Sequence, residues 1–208
     1  MTQDLVVVCA DLDAEQALKT MLSNNLKLGT APFSFSLYRH QGDSNCRNSA
    51  HDFLKPFVDQ YRFALVVFDH HGSGDERVAP DEVRRQVLEN LSRAGWQGRC
   101  EAIVIAPELE AWVWSESPNV AQVMGWESTP KLRRWLQEQS LWPEQVAKPS
   151  DPKSAYEKAL RQAKKARSAR IFAQLAEHVS YKGCQDASFN LLLDTLKGWF
   201  PPQEANFT

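Results

Sequence analysis

The stretch RFALVVFDHHGSGDE, residues 62–76, decides how the rest of the chain is read. After Arg62 it runs through β-branched and aromatic residues to Phe68, a length that suits a strand better than a helix. Charge bounds the run on one side and a glycine loop on the other. It therefore reads as a central strand of a parallel sheet, buried on both faces. The run ends in Asp69, His70, His71 and the loop Gly72-Ser73-Gly74. In a parallel sheet covered by helices, ligands gather at the carboxyl ends of the strands. The polar end of this run is thus the first place to look for chemistry.

Working outward, three further runs have strand character: Leu5–Ala10 (LVVVCA), Phe33–Arg39 (FSFSLYR, alternating with period two) and Cys100–Ala106 (CEAIVIA). Helical segments separate them. AEQALKTMLSNN follows Asp13, a candidate N-cap, and ends near Leu28-Gly29. His51–Gln60 reads as a short amphipathic helix, and Pro80 opens another that runs to about Ala94. The order βαβαβαβ predicts an α/β fold: a Rossmannoid, mainly parallel sheet flanked by helices. From Glu108 onward the sequence turns helical, tryptophan-rich and punctuated by prolines. Helices are expected near Glu108–Ser115, Asn119–Met124, Pro130–Gln139, Pro152–Lys165, Ala169–Ser180 and Ala187–Trp199. This divides the chain into an α/β core over 1–115 and a helical C-terminal portion over 116–208 packed on it, with the tail PPQEANFT frayed.

Hydrophobic content of 43% with 24% charged residues places the chain among ordinary globular proteins. No apolar run approaches the roughly 20 residues of a membrane span, so no membrane association is expected. The N-terminus has no basic segment ahead of its apolar run, which argues against a secretory signal. Cys9, Cys46, Cys100 and Cys184 stand apart, without the paired spacing of a zinc site. A cytoplasmic location is the expectation. The net charge of −2 argues against a protein that coats nucleic acid through bulk electrostatics. The charge is uneven, however: residues 148–170 hold eight basic residues against Asp151 and Glu157, a net +6 beside −8 elsewhere. A solvated helix face is the plainer meaning of such a run, and a directed anionic partner the sharper one.

Acids stand at the carboxyl ends of three of the four strands: Asp11 and Asp13, then Asp69, then Glu108 and Glu110. Carboxylate oxygens suit a hard divalent cation, magnesium or manganese, which would polarise a phosphodiester. If strand geometry persists past Phe68, Asp69 and His71 share a face and His70 points away. His71 is then a candidate ligand or general base. Gly72, Ser73 and Gly74 form a loop that lets a phosphate approach the backbone. Lys158, Arg161 and Lys165 fall on one helical face and are the candidate nucleic-acid contacts. Arg39, His40, Arg47 and His51 flank the polar stretch QGDSN, which reads as a solvated loop, with phosphate contact at the sheet edge the alternative. The tryptophans follow helix faces and strand ends and read as core.

Taken together, Leu5–Leu18, Val66–Gly74 and Pro107–Trp112 (Pro-Glu-Leu-Glu-Ala-Trp) resemble stand-alone Toprim-like (topoisomerase–primase) proteins of prokaryotic mobile and defence loci, near the RloB-like and OLD-type nucleases. The Pro152-Lys153 pair and the Trp199-Phe200-Pro201 ending are similar to that group as well. The resemblance implies a metal-dependent nuclease of anti-phage defence, a component of a methylation-associated system among the options, with nucleic acid and other defence proteins as partners. By position, Asp69 matches the first aspartate of the Toprim Asp-x-Asp pair and Glu110 the glutamate of the Glu-Ala-Trp turn. The chain departs from the pattern twice. His71 stands where the second aspartate belongs, and Ala10 where the first-strand glutamate belongs, leaving Asp11 or Asp13 as substitute. The implied metal set is Asp11, Asp13, Asp69 and Glu110, with Asp69, His71 and Glu110 as the catalytic group. The departures keep two alternatives open: a catalytically inactive Toprim-like binding component, and an Asp-His-His-type phosphoesterase acting on a small nucleotide.

Overall fold

The computed structural model describes residues 2–115 and 117–202; Glu116 and most of the tail read as frayed lie outside the described residues. Four strands, β1 (Gln3–Cys9), β2 (Phe35–Arg39), β3 (Tyr61–Asp69) and β4 (Cys100–Ile105), form one sheet in the order β2-β1-β3-β4. All three pairings are parallel, with Cys9 opposite both Arg39 and Val67, and Asp69 opposite Ile105. The α/β, Rossmannoid expectation therefore holds. The chain leaves β1 for β2 on one side, then crosses to β3 on the other. That reversal opens a crevice beyond the carboxyl ends of β1 and β3.

The period of two along each strand divides the core. Leu5, Val7, Cys9, Leu65, Val67, Ile103 and Ile105 face one layer; Val6, Val8, Ala64, Val66, Phe68, Ala102 and Val104 face the other. These strand side chains are almost all fully buried, each worth about 1.5–3 kcal/mol for the larger aliphatics. The second layer is closed by α3 (Asp43–Leu54) and α4 (Pro80–Leu91), through Cys46, Ala50 and Leu54 and through Val83, Val87 and Leu91. The first layer is larger. It takes α1 (Leu12–Leu22), the short α2 (Asn25–Leu28) and the C-terminal helices: α5 (Pro118–Val123), α6 (Thr129–Glu138), α7 (Pro152–Gln162), α8 (Ala169–His178) and α9 (Ala187–Trp199). The helical C-terminal portion and the sheet thus share one hydrophobic cluster.

Local chemistry explains the helix ends. Asp11 caps α1, accepting from the Ala14 N–H at 2.8 Å. Asp151 accepts from Ser154 N–H at 2.9 Å, and Pro152 follows it at the first helical position of α7. Gly29 ends α2 at φ +72°, a left-handed conformation that favours glycine. Tryptophan indoles lie in the core with satisfied N–H groups: Trp96, Trp114 and Trp126 donate to the carbonyls of Leu54, Pro152 and Ala159. Among the described residues no helix is long and apolar enough to cross a membrane.

Three local expectations need correction. The helix expected at His51–Gln60 begins eight residues earlier, at Asp43, so QGDSN is not a solvated loop but a helix start. Asp11, not Asp13, is the cap of α1. The helix expected at Glu108–Ser115 is one 3-10 turn, Leu109–Trp112.

Candidate metal centre

Each strand of the parallel sheet delivers an acid to the same edge. Asp11 and Asp13 follow β1, Asp43 follows β2 at the first turn of α3, Asp69 ends β3, and Glu108 and Glu110 follow β4. Backbone hydrogen bonds fasten these turns together. His70 N–H donates to Ile105 O at 2.8 Å and His71 N–H to Pro107 O at 2.9 Å, joining the β3 turn to the β4 turn across the cis Ala106-Pro107 bond. Gly42 N–H donates to Ala10 O at 2.8 Å, joining the β2 turn to β1.

The result is a cluster of Asp69, Glu108 and Glu110, whose ligand oxygens lie within 4.8 Å of one another. Glu108 and Glu110 are buried, at 6% and 2% exposure. An all-oxygen donor set at this spacing suits a hard divalent cation, with oxygen distances of about 2.0–2.6 Å. The donor set therefore fits magnesium or manganese. His71 stands at the rim with its Nδ1 3.9 Å from Glu108 Oε2, which brings one nitrogen to an otherwise oxygen-lined site and suits manganese the better of the two.

Electrostatics show the strain of this arrangement. Burial pushes the Asp69 carboxyl well above its ordinary range, and the nearby Asp43, Glu110 and Asp11 charges push it further; one N–H from Leu109 opposes them. Burial likewise raises Asp43, against the N–H that Asp69 donates to Asp43 Oδ1 at 2.7 Å. Burial raises Glu110 and Asp13 too, each partly offset by Arg167. Four acids in one crevice are thus held against ionisation, an arrangement more typical of functional sites than of structural ion pairs.

Two cations answer this charge. Lys153, in the first turn of α7, places Nζ 2.8 Å from Glu108 Oε2, and that bond holds the ammonium pKa above its usual value. Arg167, just before α8, places Nη2 2.6 Å from Asp13 Oδ2 and 3.3 Å from Glu110 Oε1.

Searches against protein-family models, curated proteins and solved structures found no match to this chain. Function is therefore inferred from the geometry of the site.

Of the residues singled out in the sequence, the structure brings Asp69, Glu110 and His71 to one place. Asp11 and Asp13 border that place, but Asp11 spends an oxygen on capping α1 and Asp13 on Arg167. His70 faces elsewhere, its Nε2 2.7 Å from Val78 O. In the glycine loop, Gly72 N–H already donates to Glu76 Oε1 at 3.0 Å and Ser73 N–H to His70 O at 3.2 Å. Ser73 is fully buried, and its hydroxyl has no hydrogen-bond partner. Gly72 has φ +90°, a backbone conformation that favours glycine, and a Cβ there would press on Asp43 Oδ2 at 3.2 Å. Of the basic face, Lys158 and Arg161 are exposed on α7, whereas Lys165 Nζ donates to the Val123 carbonyl. Arg39 and Arg47 are spent on Glu15 and on Asp75 with Gln86, and His40 on Ser49.

Sequence reasoning missed Asp43 and Arg167, and placed Lys153 and Glu108 without giving either a role at the site. Asp43 had a signal. Cys46, Ala50 and Leu54 repeat every four residues, which extends the helix back to the acid. Lys153 was marked only by the Pro152-Lys153 pair of the resemblance and Arg167 by nothing beyond the basic run; their partners Glu108 and Glu110 lie 45 and 57 residues away.

Proposed function

We propose that the protein is a Toprim-like, divalent-metal-dependent phosphodiesterase acting on nucleic acid. The observation that carries this reading is the convergence of Asp69, Glu108 and Glu110 within 4.8 Å, at the switch-point edge of a parallel sheet. Asp69, Glu108 and Glu110 would hold the cation, which when bound supplies Lewis-acid polarisation of a phosphodiester. His71, with 66% of its side chain exposed at the rim, is placed to take or give a proton at Nδ1. Lys153 and Arg167 offset part of the acidic charge that an anionic substrate would otherwise meet in the crevice. Lys158 and Arg161, one helical turn apart, are exposed further along the same helix as Lys153. This supports a substrate longer than a mononucleotide.

A second reading is a binding protein without hydrolytic activity. The observation favouring it is that Lys153 and Arg167 already pair with Glu108, Asp13 and Glu110.

Hydrolysis in manganese of single- and double-stranded DNA, and of a small chromogenic phosphodiester, tests both. Wild type is expected to cleave DNA, Asp69→Asn and Glu108→Gln to fall to background, and His71→Ala to lose about a hundredfold. Lys158→Glu with Arg161→Glu should weaken DNA cleavage but spare the small diester. Manganese binding without cleavage of any of them would leave the binding protein. Equal rates for wild type and Asp69→Asn would remove the site assignment.

A further inference from the structure

Arg167 occupies an unusual position for a surface arginine. A single nitrogen, Nη2, lies between two carboxylates, 2.6 Å from Asp13 Oδ2 and 3.3 Å from Glu110 Oε1, while Nε lies 3.9 Å from Glu157 Oε1. Glu110 is shared: it belongs to the cluster with Asp69 and Glu108, and its Oε1 also lies within reach of Arg167. The guanidinium also lies over the Phe172 ring, 6.0 Å from its centroid. Its backbone is anchored because α8, which starts two residues later, packs through Phe172, Leu175 and Ala176 onto the layer that includes Ala14, Ala17 and Met21 of α1. Asp13 belongs to the first turn of that same α1. The arginine and its partner acid are therefore fixed by one helix-helix contact rather than by a flexible surface pairing.

Chemically, two carboxylates that converge on one point from the β1 and β4 turns are a bridging cation site. A divalent ion there would share Glu110 with the ion on Asp69 and Glu108, the arrangement of two-metal phosphoryl-transfer centres. In this chain a guanidinium nitrogen stands at that point instead. Arginine stays protonated at any working pH, so the charge it brings is permanent and does not depend on metal supply.

We propose that Arg167 is the resident second cation of the centre: its guanidinium fills the place between Asp13 and Glu110 and limits the site to one divalent ion, on Asp69, Glu108 and Glu110. This rests on the metal-centre reading above. The consequence is a centre with one exchangeable cation and a guanidinium built in between Asp13 and Glu110, in addition to the Lys153 ammonium on Glu108. Removing the arginine side chain frees Asp13 and Glu110 Oε1 from their cation and leaves them open to a second ion.

Isothermal titration of the chelator-stripped protein with manganese chloride tests this without an activity assay. Wild type is expected to bind one ion per chain, Arg167→Gln two, and Arg167→Gln with Asp13→Asn one again. Arg167→Lys keeps a cation at the same place and is expected to bind one. Arg167→Met, which keeps an apolar stem against Phe172 without the charge, is expected to bind two and carries the test if the glutamine variant does not fold; a single ion on it would overturn the proposal. Two ions on wild type would overturn the proposal, as would a single ion on Arg167→Gln with an unchanged circular-dichroism spectrum. In both cases the metal centre itself would stand. No ion on wild type would overturn the metal centre and this proposal together.

Discussion

Asp186 and Asp69 are both half-buried aspartates at the end of a secondary-structure element, one opening α9 and the other closing β3. Asp186 is surrounded by donors: Lys148 Nζ at 2.8 Å, the Ser188 and Phe189 N–H groups at 3.0 and 3.1 Å, and the Ser188 hydroxyl. Burial alone would raise its pKa, but these partners hold the carboxyl below its usual range. Asp69 has one such donor, Leu109, and faces Asp43, Glu110 and Asp11, so its carboxyl is held far above that range. The same side chain thus serves two ends. At Asp186 the fold spends the charge on its own stability. At Asp69 it keeps the charge poorly compensated, as a site for an external cation requires.

The largest effect expected from breaking this contrast is at the structural acid. Asp186→Ala removes the α9 cap and leaves Lys148 with only the Ala111 carbonyl, at 2.8 Å. The loss should be about 3 kcal/mol in urea unfolding. Asp69→Asn should do the opposite. Without metal it relieves repulsion in the crevice and should stabilise the protein by about 1 kcal/mol, measured by the same unfolding in chelator. Equal destabilisation by the two changes would erase the distinction between the acids.

A smaller effect, of a few degrees in Tm, sharpens the contrast through pH. For Asp69 the folded pKa exceeds the unfolded value of about 4, so the folded state binds the proton more tightly. Its contribution to stability is intact below that value and is lost as pH rises through the folded pKa. For Asp186 the folded pKa is lowered, so its contribution is present above about 4 and is lost as pH falls through the folded pKa. In chelator, wild type should therefore lose Tm relative to Asp69→Asn as pH rises from about 4 toward neutrality. Relative to Asp186→Asn it should lose Tm as pH falls below about 4. Slopes of the same sign for the two comparisons would contradict the account.

Much of the fold was legible because its signals are local. Phe63–Phe68 and Leu5–Ala10 are short, apolar and rich in β-branched residues, as buried strands are, and the helical segments between them point to a parallel arrangement. The start of α3 was not legible in the same way: Gln41–Asn45 is polar enough to read as a loop, and only the Cys46, Ala50, Leu54 repeat betrays the helix. At the site, Asp69 and Glu110 stand out because each closes or follows an apolar strand. Glu108 was visible but indistinguishable from a first-turn acid. The two cations were hidden for a different reason. Lys153 and Arg167 sit in a basic run whose excess charge suggests a surface patch. In the folded chain Lys148, Lys153, Lys165 and Arg167 all turn inward to carboxylates or carbonyls. Charge pattern along a sequence does not say which charges tertiary contacts will consume.

The central claim is that Asp69, Glu108 and Glu110 are cation ligands and not merely crowded acids. Anomalous diffraction from a crystal soaked in manganese addresses it directly. The account predicts one strong peak bounded by those three carboxylates, at oxygen distances of about 2.0–2.6 Å, which disappears in Asp69→Asn. Density of an ordered metal elsewhere, with none among these three residues, would contradict it.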